Sequence, residues 1–195
     1  MTASIGPVLT VILLVAPAKA AFAPFADPII DTIVTTQYPG VTFSSPTVGR
    51  DIRAANVGDL GSSLPLVICS QPIGGFGSCL GDIQLDFASP VNDLSFLSVG
   101  DDRAFAAAAL VDVYASFALA ATLNLPTDGT PFVPQLFDLS AFSDITRIVI
   151  RNQVDIAGLG FDDFRFTAVP EPATFLRFGT GIVAGIRRRL AGRRS

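Results

Sequence analysis

The chain has no histidine and no tryptophan, one methionine and two cysteines among 195 residues. Its only lysine is Lys19 and its only glutamate is Glu171. Without histidine the commonest general base is missing, and every Ser–His or Cys–His nucleophile pair is excluded. With two thiols and no imidazole, a zinc site is excluded in practice. Without tryptophan, the rings on which sugars usually stack reduce to Tyr38, Tyr114 and phenylalanine. The 13 phenylalanines between residues 24 and 169 read as core, because large apolar rings are mostly buried.

Charge is also one-sided. Residues 24–169 hold 16 Asp against 6 Arg, a net charge of −10, with no Lys and no Glu. Such a domain repels phosphate backbones, so no nucleic-acid partner is expected. Short carboxylates on a β-rich surface suit solubility first and divalent cations second.

The two ends are unlike the middle. Val8 to Val15 is an apolar run too short to span as a stable helix, followed by small residues. Two A-x-A sites, Ala18-Lys19-Ala20 and Ala21-Phe22-Ala23, make residues 1–23 a secretory signal peptide cleaved after Ala20 or Ala23. The other end, residues 169–195, opens on Pro170-Glu171-Pro172, where each proline fixes its own φ and holds the preceding residue extended. A mostly apolar run from Ala173 to Ile186 follows, then the cluster Arg187, Arg188, Arg189, Arg193 and Arg194. As a helix the apolar run spans about 21 Å, short of a hydrocarbon core of about 30 Å. Apolar helix then arginines is a stop-transfer pattern, with the arginines kept on the cytoplasmic side.

This order of Pro-Glu-Pro, apolar run and Arg cluster resembles the PEP-CTERM sorting segment of Gram-negative bacteria. The resemblance implies export across the inner membrane, with signal peptidase and exosortase as processing partners. The precursor would be anchored transiently in the inner membrane by a short transmembrane helix. The mature form would lie at the cell surface or outside it, in an exopolysaccharide or biofilm setting.

Residues 24–168 are long enough for one domain with a real core. Ile83, Leu85 and Phe87 alternate with Gln84 and Asp86, and Asp93 to Phe96 alternates likewise. Val41 to Phe43, Leu66 to Ile68, Phe132 to Leu139, Ile145 to Ile150 and Phe161 to Phe166 are further β-type runs. Turn signals recur at Tyr38-Pro39-Gly40, Ser89-Pro90 and Thr127-Asp128-Gly129. The alanine-rich stretch Arg103 to Ala121 has the composition of a helix. Strands reversing near Ala115-Ser116 are preferred there, because a lone helix would interrupt a run of strands. The expectation is all-β, a jelly-roll-like β-sandwich flanked by the signal peptide and the C-terminal helix.

Several landmarks are similar to those of β-sandwich ectodomains in PEP-CTERM proteins. They are Thr35 to Ser45, Val99-Gly100-Asp101-Asp102, Asp138 to Phe142 and Gly160 to Phe164. The likeness implies a layout like that of carbohydrate-binding modules.

Chemistry is sparse. In an exported chain, the even pair Cys69 and Cys79 is read as a disulfide. Closing that loop stabilises by about 3 kcal/mol in the chain-entropy model. The carboxylate pairs Asp101-Asp102 and Asp162-Asp163 are adjacent residues that point to opposite faces of a strand, so neither aims two carboxylates at one glycosidic bond. No catalytic residue is assigned.

Asp162 shares strand parity with Phe164 and Phe166, which would put a carboxylate at the head of the buried face, costly unless paired or metal-bound. Two accounts stand. One is a strand-end Asp that accepts a loop N–H or pairs with Arg50 or Arg53. The other is a structural Ca²⁺ site shared with Asp27 or Asp31.

The function expected is a non-catalytic structural or adhesive role at the cell surface or in the extracellular matrix. Polysaccharide binding by a carbohydrate-binding-module-like domain is the alternative, and a glycoside hydrolase ranks third.

Overall fold

The computed structural model describes residues 20–23, 30–56, 66–74, 78–100, 103–130, 133–155 and 158–170. The strands among them are β1 (Ala20–Ala23), β2 (Val41–Ser44), β3 (Arg50–Asn56), β4 (Leu66–Pro72) and β5 (Ile83–Val99). They continue with β6 (Ala104–Ala115), β7 (Ala118–Asp128), β8 (Gln135–Asp138), β9 (Ile145–Arg151) and β10 (Gly160–Ala168). Every pairing between them is antiparallel. The fold is all-β.

β5 organises the molecule. Its first half lies between β2, with Val41 opposite Phe87 and Ser44 opposite Gln84, and β9, with Ile83 opposite Ile150 and Asp86 opposite Arg147. Its second half lies between β8, with Ser95 opposite Asp138, and β10, with Leu97 opposite Asp162. One strand thus joins two arms, β2-β5-β9-β6-β7 and β8-β5-β10-β4-β3, into a single ten-stranded hydrogen-bonded network, with β1 also paired to β10. Strands that bend and change sheets make the corners of sandwiches.

The alternating runs at Ile83–Phe87 and Asp93–Phe96 read in sequence as two strands around a turn at Ser89-Pro90. They are one strand. Pro90 lacks an N–H but sits where the register with β9 breaks, between Asp86 and Val91, and its carbonyl accepts the Val169 amide at 2.8 Å.

Phenylalanines fill the space between the sheets. Phe43 of β2 meets Phe164 of β10 edge-on at 5.7 Å, and Phe87 meets Phe166 at 5.1 Å. Phe96 touches Phe137, Phe161 and Phe164 at 5.3, 5.9 and 5.2 Å. Each buried ring contributes about 1.5–3 kcal/mol by leaving water.

Strict alternation along β10 does not hold. Phe161 and Phe164 have opposite parity yet both lie against Phe96. Asp163 adopts φ +51°, and the register with β5 shifts between Asp162 and Arg165. A bulge there turns the strand so that both rings reach the core.

Arg103 to Ala121 forms strands, as expected, with the reversal at Ser116-Phe117, one residue later than read. The Phe132–Leu139 run shortens to β8, with Phe132 outside the described residues. Ala20 to Ala23, which hold the ends of both candidate cleavage sites, pair with Thr167 to Phe164 as β1.

Cys69, buried in β4, is disulfide-bonded to Cys79, with their Cα atoms 5.2 Å apart. Cys79, at the end of the loop they close, is bridged to Gly158, just before β10. Gly158 has φ +84°, and a Cβ there would collide with the Cys79 carbonyl.

Candidate functional site

The outer face of the first sheet carries a row of facing residues set by register alone. Thr42, Asp86, Arg147, Tyr114 and Leu119 stand opposite one another in β2, β5, β9, β6 and β7. Directly opposed side chains in antiparallel strands are near enough to interact. Arg147 Nε donates to Asp86 Oδ1 at 2.6 Å, and its guanidinium carbon lies 5.8 Å from the centre of the Tyr114 ring. Gln84 Nε2 donates to Asp86 Oδ2 at 2.6 Å. Asp86 is therefore held from both sides. The terminal guanidinium nitrogens of Arg147 are left over an exposed surface, since 44% of its side chain is accessible.

One row further along, Val149 separates Gln84 from Asp112. Arg151 reaches Asp112 through Nε at 2.6 Å and one terminal nitrogen at 3.0 Å, and the Thr122 hydroxyl donates to the same carboxylate at 2.6 Å. The hydrogen bonds from Arg151 hold the Asp112 carboxyl below its ordinary value, and Thr122 adds to this against the opposing effect of burial. Asp112 holds Arg151 above its own ordinary value in turn.

The β6–β7 hairpin closes this face. Its loop has two residues, Ser116 and Phe117, with φ of +48° and +66°. Two positive φ values make a type I′ turn, which favours Asn-Gly. Phenylalanine in this region costs about 1–2 kcal/mol, because its Cβ crowds the following carbonyl. Phe117 is nonetheless there, with its side chain in solvent at 87% exposure.

The backbone around Phe117 is fixed. The hydroxyl of Thr146 accepts the Phe117 amide at 3.3 Å and donates to the Tyr114 carbonyl at 3.3 Å. The Ser116 amide donates to the Asp144 carbonyl at 3.1 Å. Thr146 can do this because β9 bulges at it: Tyr114 faces Arg147, but Ala115 faces Ile145. Phe117, Tyr114, Thr146, Arg147 and Asp86 line a depression of about 160 Å³ together with Phe87. An aromatic face, a guanidinium and a carboxylate around one depression can stack the C–H face of a sugar ring and hydrogen-bond its hydroxyls.

The assignment of the phenylalanines to the core is corrected at Phe117. The signal in the sequence was an aromatic residue at a two-residue hairpin reversal, three residues after a tyrosine.

Asp162 is wholly buried and Asp163 nearly so, and the Asp163 amide donates to Asp162 Oδ1 at 2.7 Å. Neither is open to a substrate. Arg50 is engaged by the carbonyls of Ser70 and Ser78, and Arg53 by the Asp31 carbonyl and the Asp51 carboxylate. Arg165 is the cation 3.6 Å from Asp163. Among the described residues no group of three or more acidic or cysteine side chains could hold a metal ion, and the calcium reading turns also on Asp27, outside them. Asp27, Asp101 and Asp102 lie outside the described residues, as do Glu171, Pro172 and the cluster Arg187, Arg188, Arg189, Arg193 and Arg194. Of Pro170-Glu171-Pro172 only Pro170 is described, exposed just beyond β10. Among the described residues no helix is long and apolar enough to cross a membrane.

No family model and no curated protein matches this chain. Among the solved structures similar to it in part are an adhesin domain and a mannanase. The K1 cleaved adhesin domain of Lys-gingipain from Porphyromonas gingivalis W83 is 14% identical, with 78% of this chain and 99% of that one covered and a TM-score of 0.48. The GH26-CBM35 β-(1,4)-mannanase of Podospora anserina is 15% identical, with 80% of this chain and 29% of that one covered and a TM-score of 0.32.

Proposed function

We propose that this chain is an exported, exosortase-sorted protein of the cell surface or extracellular matrix whose sandwich adheres to extracellular polysaccharide without cleaving it. The observation that carries the binding half is Phe117. A large apolar ring held in solvent, on a backbone conformation that disfavours it, has a reason if the ring stacks on a ligand. Tyr114, Arg147 and Asp86 stand beside it with the polar groups a sugar needs. The depression has one carboxylate in its lining, Asp86, and both oxygens of that carboxylate already accept hydrogen bonds. This supports binding over hydrolysis, which needs two carboxyl groups flanking the bond.

The export half rests on the residues of the two ends. Intact mass of the protein from its native host tests it. Loss of the residues up to Ala20 or Ala23, and loss or exchange of the segment after Pro170-Glu171-Pro172, is the expected result. A mature form still ending in Arg193-Arg194-Ser195 would overturn it. A glycan array tests the binding half, with Phe117→Ala as the control that should lose signal.

A further inference from the structure

A sandwich of two open sheets has four edges, and three of them are guarded here. The edge of β3 carries Arg50, Asp51 and Arg53. The preceding segment lies along it: the Asp31 and Val34 amides donate to the Ala54 and Ile52 carbonyls, both at 2.8 Å. The same segment covers β2, where the Phe43 amide donates to the Thr35 carbonyl at 2.8 Å. β8 is four residues long and ends on Asp138. β7 is different. It is 11 residues long, pairs only with β6 among the described residues, and has no charged side chain from Ala118 to Thr127. Natural sheets blunt long edges with charge, proline, shortness or a cover. β7 has Pro126 near its end, but along Ala121–Leu125, where its register with Val113–Ala109 is regular, none of these is present among the described residues.

We infer that the β7 edge is a pairing surface for a second copy of this chain. The unpaired amides and carbonyls of an edge call for another strand, and two features select β7 itself. The first is charge. Two domains of net charge −10 repel, so a strip without charge favours contact between copies, and Ala118–Thr127 of β7 is such a strip. The second is self-complementarity. In an antiparallel pair centred on Leu123, Ala121 faces the partner's Leu125, a small residue against a large one. Thr122 faces the partner's Asn124, polar against polar. Each Asp128 lies opposite the partner's Ala118. The two Asp128 residues are then ten residues apart along the ladder, about 34 Å, far beyond screening distance.

Such a dimer has an isologous two-fold interface. The axis is perpendicular to the sheet, so the outer faces of both copies stay on one side. The two Phe117 depressions then point the same way, and a long polymer can engage both at once. The inference itself needs no ligand and stands apart from the polysaccharide reading.

Sedimentation of the full-length protein, without glycan, tests it together with single-cysteine variants. The native cysteines are bonded to each other, so an added thiol is the only one free to report. Leu123→Cys should give a covalent dimer on oxidation or with a short bismaleimide, because the residue faces itself. Ala118→Cys should not, because its copies are as far apart as the Asp128 pair. Thr122→Lys should sediment as a monomer with an unchanged circular dichroism spectrum. A wild-type protein that stays monomeric at micromolar concentration would overturn the inference. So would a dimer that survives Thr122→Lys and cross-links equally at positions 118 and 123.

Discussion

Thr146 and Phe117 are joined by one hydrogen bond, from the Phe117 amide to the Thr146 hydroxyl at 3.3 Å, and the same hydroxyl donates back to the Tyr114 carbonyl. A single side chain in β9 thus fixes the conformation of a turn in another hairpin. The ring it presents is exposed, and the residue that presents it is buried.

Removing the ring should separate stability from binding. Phe117→Gly relieves the left-handed conformation and should stabilise the fold by about 1 kcal/mol, raising the melting temperature by about 2–4 °C. Polysaccharide binding should fall by about tenfold or more, or about 1.4 kcal/mol. Calorimetry and a binding titration on the same sample check both. A variant that loses stability would mean the ring packs against the protein.

Thr146→Val keeps the shape and removes the hydroxyl. Two neutral hydrogen bonds are lost, so the fold should weaken by about 1–2 kcal/mol in denaturant titration. Binding should weaken too, although Thr146 lies beneath the turn. Thr146→Ser should restore both, since it keeps the donor and the acceptor.

Free-thiol labelling of the unfolded, non-reduced protein should find no thiol. Cys69→Ser should cost about 2–5 kcal/mol, the range for small secreted domains. Part of that cost should appear as faster hydrogen exchange around Gly158, the residue to which Cys79 is bridged.

Acid should unlock the second row of the outer face. The folded-state pKa of Asp112 is held below its ordinary value by Arg151, so its contribution to stability is fully present above the ordinary carboxylate value. That contribution is lost as pH falls through the lower, folded value. Asp112→Asn should flatten this part of the stability–pH curve without changing the neutral-pH fold. An acid limb unchanged by the substitution would contradict the assignment.

Much of the fold was legible because alternation is a local signal. Ile83 to Phe87 carries it without interruption and lies in a strand, β5. Reading failed where tertiary structure overrides the local rule. Ser89-Pro90 has the composition of a turn but is the bend of one strand that changes sheets. Asp163 breaks the period of β10, so Phe161 joins Phe164 and Phe166 in the core although its parity is opposite to theirs. The disulfide was legible from its context. The candidate site was not, because its row of residues comes from five strands, most of them far apart in sequence. The clue within one strand pair was an aromatic residue in a turn that favours glycine. Composition had assigned that residue to the core with the other twelve.

The measurement that bears most directly on the central claim is a binding titration of the polysaccharide made by the producing cells. It compares the wild-type protein with Phe117→Ala and Arg147→Gln. Saturable binding by the wild type, weakened about tenfold or more by either substitution with the melting temperature kept, is the predicted result. Equal binding by all three proteins, or none by the wild type, would contradict a polysaccharide site at Phe117.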